Sequence, residues 1–456
     1  MSKKIIEIKA RDCSVFSNQE GHEEAIFYFF RAQSKSNLFQ FSFNKERLSD
    51  DSPIMIFKEN KCGEKKWYAG RYVGEASFEF KRKNYKIIIE PRFGNTQLYR
   101  MLDEVFHVRI SESIQKAEKT EEYSLIQRIV ALLWFNMLSR ANKHGLPKTN
   151  IKQTFIGKKI RGRLNVMETI IPLKTQNKLV SNYWDKIPNE SIVKILKQAY
   201  YILKKEYKTP YNIKESKATN NALEQLLSIK VSDKIVTENE YNNIFYKNIY
   251  KSYKPVVDLS WDIIKRKKFG NNSSDTLGMS PFIDMAEIWE MYLKSILRKK
   301  LVTEGWWGRD DVIQTYPKKD FMSKLIPDIV FQKNNTVLVW DAKWKRMTFD
   351  NRDYDRSDFF QIHTYINYFE NEKDKQEVII GGLLYPLSKE FDEKTAQKNH
   401  SNSLYGTNKN KTQFMVDGVD LSEIFEDGET DVNKIKKQET KFLERILEKI
   451  NTRVSS

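Results

Sequence analysis

Cysteine is almost missing from this chain of 456 residues: Cys13 and Cys62 are the only two. Two thiols exclude a disulfide framework and a thiolate zinc cluster, and they suit a reducing cytoplasm. Long apolar runs are missing as well. The strongest, Ile129–Leu138 (IVALLWFNML), is about half a membrane span and contains Asn136. The opening residues, MSKKIIEIKARDCSVF, lack the apolar core of a signal peptide. The expectation is a soluble, cytoplasmic protein with no membrane partner. No GxxxxGK(S/T) phosphate loop occurs, so the chain itself is expected to bind no nucleotide. His22, His107, His144, His363 and His400 are scattered without metal-ligand spacing, and no GxSxG or Cys/His nucleophile arrangement appears.

Charge and aromatics are plentiful. Lys and Arg number 78 against 61 Asp and Glu, a net +17, which favours a polyanionic partner and nucleic acid before membrane. With 40% hydrophobic and 13% aromatic residues the chain can bury a sizeable core. Its length fits two or three domains.

The hydrophobic period changes along the chain. Residues 1–96 read as β-rich, a recognition or docking domain: Ala25–Phe30, Leu38–Phe43, Ile54–Phe57 and Trp67–Val73 are short aromatic and β-branched runs, and Ala76–Phe80 pairs with Tyr85–Glu90. Residues 97–268 read as a mostly helical middle region, with helices over Tyr123–Leu138, Ser191–Tyr207, Asn220–Ile229 and Glu238–Tyr253. The basic run Lys265–Lys268 leads into a polar linker. Residues 279–390 carry the order helix, strand, strand, helix, strand, with Asp358 as N-cap of the second helix, and residues 391–456 are a polar loop and an amphipathic helix. The fold class is multidomain α+β with a C-terminal α/β core.

The chemistry concentrates in one stretch, LIPDIVFQKNNTVLVWDAKWK (325–345). Two apolar strands, Ile326–Phe331 and Thr336–Trp340, flank the polar turn Gln332–Asn335. Alternation puts Asp341 and Lys343 on one face, and hairpin pairing brings Asp328 close to Asp341. Two carboxylates converging beside an ammonium are costly unless a divalent cation resolves them. Asp328 and Asp341 therefore read as metal ligands, Lys343 as the group that orients or deprotonates water, and Glu290 on the preceding helix as a further acid. Lys345 and Arg346 follow the site and suit substrate phosphates; Arg161 and Arg163 are candidates for DNA or partner docking.

Pro327-Asp328 followed by Asp341-Ala342-Lys343 resembles the PD-(D/E)XK nuclease superfamily. More narrowly, IIIEPRFG (87–94), Gly145-Leu146, IRGRLNV (160–166), FIDMAEIWE (282–290), Gln361 through Tyr365 and LLYP (383–386) together resemble the McrC family of modification-dependent restriction systems. The resemblance implies a PD-(D/E)XK core using Mg²⁺, with Mn²⁺ able to substitute, and catalytic positions at Asp328, Asp341, Lys343, Glu290 and Gln361. It implies cutting of modified double-stranded DNA, and a hexameric AAA+ GTPase of the McrB type that the subunit stimulates. Trp289 stands where the family usually has Phe, and Arg92 where Lys is common. Two other functions stay open: an assembly protein with a vestigial nuclease core, and a stand-alone nuclease of repair or transposition.

Overall fold

A computed structural model describes residues 5–34, 40–41, 53–59, 63–107, 125–206, 217–232, 234–270, 282–315, 323–345, 355–372, 376–387, 412–421 and 432–454. Arg346, most of the expected strand Leu38–Phe43 and the polar loop after 391 up to 411 lie outside these residues. Contacts divide the chain into two compact units: Met1–Ile126 with Asp275–Ser456, and Gln127–Ser274.

The first unit begins with β1 (Ile5–Arg11), α1 (Glu23–Ser34), β2 (Gln40–Phe41), β3 (Met55–Glu59), β4 (Lys65–Ala69), β5 (Tyr72–Phe80), β6 (Lys83–Glu90) and α2 (Asn95–Phe106). The β5–β6 hairpin expected from the sequence is present and closes on two residues, Lys81 and Arg82, at φ 48° and 63°. A turn with both central residues left-handed matches the twist of the flanking strands. Ala25–Phe30 is a correction, because it lies in α1 and not in a strand. Its aromatics favour strands locally. The burial of Ala25, Ile26 and Phe29, spaced as one helical face, wins instead and packs α1 on the sheet.

The second unit contains α3 (Leu125–Ala141) from Gln127 onward, β7 (Lys148–Gly157), β8 (Arg163–Leu164), α4 (Val166–Gln176), β9 (Leu179–Pro188), α5 (Glu190–Glu206), α6 (Lys217–Ser228), α7 (Glu238–Asn242) and α8 (Lys254–Gly270). It is not purely helical: β7, β9 and β8 form a three-stranded sheet with β9 in the centre. The helix expected over Glu238–Tyr253 is shorter, since α7 stops at Asn242 and a 3₁₀ turn takes Asn248–Tyr253. Lys265–Lys268 lies in the last turns of α8, and most of the polar linker it leads into is outside the described residues; Pro255, in the first turn, needs no backbone donor there.

The chain then returns to the first unit with β10 (Phe282–Asp284), α9 (Met285–Thr303), β11 (Trp307–Arg309), β12 (Ile313–Thr315), β13 (Ser323–Leu325), β14 (Ile329–Lys333), β15 (Thr336–Ala342), α10 (Arg356–Asn367), β16 (Glu377–Leu387), β17 (Gln413–Asp420) and α11 (Val432–Val454). One five-stranded sheet has the order β1-β6-β5-β10-β2. The strand β10 pairs antiparallel with β5 and parallel with β2, so residues 1–96 leave their own sheet unfinished. That is why the boundary expected at 96 does not separate a domain. The second five-stranded sheet has the order β11-β14-β15-β16-β17. Its β14–β15 pair is antiparallel, and β15, β16 and β17 run parallel, with α10 as the crossover from β15 to β16. A central strand is covered on both faces, and β15 is accordingly buried from Val337 through Asp341. Gly381 lets α10 approach, since a Cβ there would stand 2.5 Å from the Ile366 side chain.

Candidate active site on the β14–β15 hairpin

Ile329 pairs with Trp340 and Lys333 with Thr336, which leaves Asn334-Asn335 as a two-residue turn with Asn334 at φ 53°. This register sets Asp328, just before β14, beside the last residues of β15. Its Oδ2 accepts the Ala342 N–H at 2.8 Å. Asp341 is 1% exposed, and its Oδ1 has no hydrogen-bond partner. Oδ2 faces the Lys343 ammonium at 2.6 Å. Burial first, then the neighbouring charge of Asp328 and further that of Asp358, pushes the Asp341 carboxyl up to about 8, although Lys343 opposes the rise.

Lys343 lies past the end of β15 and is anchored by its backbone N–H on the Leu384 carbonyl at 2.9 Å. Its ammonium donates to Gln361 Oε1 at 2.8 Å and stands 3.4 Å from Asp358 Oδ1. Burial alone would lower its pKa; Asp341, Asp358 and Asp328 outweigh that, and the value lies above the ordinary one. Gln361 is oriented in turn, its Nε2 donating to Tyr365 Oη at 2.8 Å while Tyr365 donates to the Ile326 carbonyl at 3.3 Å. The α10 face thus fixes which end of the amide meets the lysine.

Asp358, expected from the sequence to cap this helix, does not cap it. Asp355 caps α10, accepting the Ser357 N–H at 2.9 Å. Those Ser357 donors and Lys345 hold the Asp355 carboxyl down at about 2. Asp358 sits in the first turn, buried, and bridges Lys343 to Lys345, whose ammonium is 2.7 Å from its Oδ2. Sequence reasoning missed it as a site residue. The available signal was its place three residues before Gln361, which is one helical face. Lys345, expected on substrate phosphate, is thereby paired with Asp358 and Asp355.

The other expected residues divide. Glu290 lies half-buried on α9. Among the described residues no three His, Cys, Asp or Glu side chains gather closely enough to hold a metal, so Glu290 does not complete a three-acid cluster with the two aspartates. Trp289, beside it, is fully buried against Trp344, ring centres 5.6 Å apart, and its indole N–H points at the Leu384 carbonyl that anchors Lys343. Arg161 and Arg163 belong to the second unit and are exposed at the β8–β9 edge. The Arg161 guanidinium lies 4.8 Å over the Phe155 ring. His363 is packed between the rings of Phe359 and Phe414, and burial lowers its pKa.

Known proteins agree with the family-level reading. The model of the McrBC 5-methylcytosine restriction system component family matches residues 68–386. The chain belongs to this family. The McrC resemblance seen in the sequence is thus borne out. No curated protein matches. Among solved structures, the chain is similar to one from the Thermococcus gammatolerans half-complex of a tetradecameric assembly of McrB AAA+ hexamers with bound McrC. The TM-score is 0.51 and the identity 14%, over 97% of this chain and 100% of that one. The Thermococcus gammatolerans McrBC complex follows with 13% identity, 65% and 88% coverage and a TM-score of 0.38. At such identity the likeness concerns the fold: a multidomain mix of helices and several sheets. Among the described residues no helix is long and apolar enough to cross a membrane.

Proposed function

We propose that the chain is the Mg²⁺-dependent DNA endonuclease subunit of a McrBC-type restriction system, and that it acts with an AAA+ GTPase. The observation carrying this reading is Asp341: a buried carboxylate with an unpaired Oδ1, beside a second aspartate and a lysine. That donor set fits a hard cation, which one or two carboxylates plus substrate oxygens suffice to hold. Asp328 and Asp341 would hold Mg²⁺, and its chemistry is to polarise the phosphate and make bound water a nucleophile. Lys343 supplies positive charge where the pentavalent phosphorus accumulates negative charge. Gln361 and Tyr365 hold that ammonium in place, and Asp358 is shared between Lys343 and Lys345.

Family membership and the fold likeness support a partner of the McrB AAA+ kind. The second unit offers it a surface: Ile156, Ile160, Val166, Met167, Ile171 and Trp184 are large apolar side chains left exposed on and beside its sheet. Exposed patches of this kind mark protein interaction sites. The net +17 and the exposed Arg161 and Arg163 favour DNA as the substrate polymer.

The test is cleavage of DNA carrying 5-methylcytosine by the full chain with its GTPase, GTP and Mg²⁺. Asp341→Ala is expected to lower the cutting rate at least about a hundredfold, the loss of several kcal/mol of transition-state stabilisation, and to leave GTPase stimulation intact. Equal loss of both activities in folded protein refutes this division of roles. Full GTPase stimulation with no cutting by the wild-type chain favours the assembly-protein reading.

A further inference from the structure

Trp344 directly follows the site lysine, is buried, and points away from the hairpin toward the other sheet of its unit. Its indole N–H donates to Asp12 Oδ2 at 2.7 Å. Asp12 is the first residue after β1 and is 1% exposed; its Oδ1 accepts the Arg92 backbone N–H at 2.6 Å. Arg92 stands two residues beyond β6, its guanidinium 4.7 Å from the centre of a Trp344 ring and its Nε 3.6 Å from Asp12 Oδ2. Phe93 meets the indole edge-on at 5.4 Å. The ends of two adjacent strands of the N-terminal sheet therefore grip the residue after Lys343, while the Lys343 backbone is held by Leu384 from the other side. Nothing in the cleavage chemistry needs a buried carboxylate at residue 12. Two oxygens accepting two N–H groups is a means of fixing direction.

We propose that Asp12 and Arg92 are positioning residues for the Lys343 ammonium, acting through Trp344, so that the N-terminal sheet sets the geometry of the cleavage centre. The inference deepens the nuclease reading above and rests on it for its kinetic arm only. A hydrogen bond to a charged acceptor is worth enough that losing it loosens its donor by about tenfold or more.

Trp344→Phe keeps an aromatic ring and deletes the N–H together with part of the indole frame. Asp12→Asn keeps one acceptor oxygen where two are needed. In the full chain without DNA or partner, acetic anhydride labelling read by mass spectrometry is expected to show Lys343 about tenfold more reactive in both variants, relative to lysines of the second unit. Glu439→Gln, a destabilising change at α11, leaves Lys343 reactivity as in wild type. In the cleavage assay both variants lower kcat about tenfold with KM for DNA unchanged, and the double variant loses no more than the worse single one. Unchanged Lys343 reactivity overturns the proposal, as do additive losses or a change confined to KM. If Trp344→Phe does not fold, Asp12→Asn decides alone. A wild-type chain that never cuts defeats the nuclease reading, and the labelling still decides the clamp.

Discussion

Asp341→Asn separates stability from function and yields a pH signature that can be worked out beforehand. The folded chain holds the Asp341 carboxyl at about 8, against an ordinary carboxylate value near 3.8. A raised folded value means that the folded state binds the proton more tightly than the unfolded one. The contribution to stability is therefore complete below pH 3.8 and is lost as pH rises to about 8. Each pH unit inside that window costs about 1.4 kcal/mol, so wild type loses roughly 3 kcal/mol from this group between pH 5 and 7. An asparagine has no proton to lose and keeps Lys343 bonded to Gln361 at 2.8 Å and near Asp358 at 3.4 Å. In EDTA, urea midpoints for the first unit are expected to show Asp341→Asn gaining on wild type steadily from pH 5 to 8. Added Mg²⁺ should narrow the gap by stabilising wild type alone. A difference that stays flat with pH, or an asparagine variant less stable at pH 8, refutes the account of the site as a buried, mutually repelling pair.

Two further outcomes test the frame around the site. Arg100 on α2 makes a bidentate pair with Glu439 of α11 at 2.9 and 2.7 Å, and Tyr292 donates to the same carboxylate at 2.6 Å. Glu439→Ala removes the bidentate partner of a half-buried arginine, which keeps Glu104 at 3.1 Å, and the acceptor of buried Tyr292; it is expected to cost about 1–3 kcal/mol in urea denaturation of the first unit. Trp184→Ser combined with Met167→Ser removes side chains that are 69% and 81% exposed. The pair of changes should leave the unfolding midpoint of the second unit within about 0.5 kcal/mol. They should weaken binding to the GTPase partner about thirtyfold or more, as for an aromatic anchor in an interface. Unchanged affinity removes this face from the interface.

What the sequence disclosed follows from range. The β14–β15 hairpin was legible because alternation, the Asn334-Asn335 turn and two acids at matching distances from it are local signals. The β5–β6 hairpin was legible for the same reason. Asp358 was not, because a carboxylate in a first helical turn looks like a cap until the true cap, Asp355, is seen three residues earlier. The sheet that joins β5 to β10 spans more than 200 residues of sequence, and three-residue β10 has too little pattern to announce its pairing. The sheet of the second unit was hidden for a different reason. Strands β7 and β9 are largely solvent-facing, so their alternation carries little hydrophobic contrast. Trp344 shows the same limit at the site: its reach to Asp12 crosses 332 positions.

Charge balance at the site connects these observations. Asp328, Asp341, Asp358 and Asp355 bring four negative charges against the two positive charges of Lys343 and Lys345, a net of −2 if all are ionised. Buried sites do not carry an uncompensated charge at low cost. A proton on Asp341 halves that excess, which adds to burial in raising its pKa. A divalent cation takes the same sum to zero. On the proposed reading, proton and cation compete for Asp341. The lysine stays bonded to Gln361 in either condition. On that reading the direction of Lys343, set through the Trp344 clamp, is the remaining variable that decides whether the phosphate is cut.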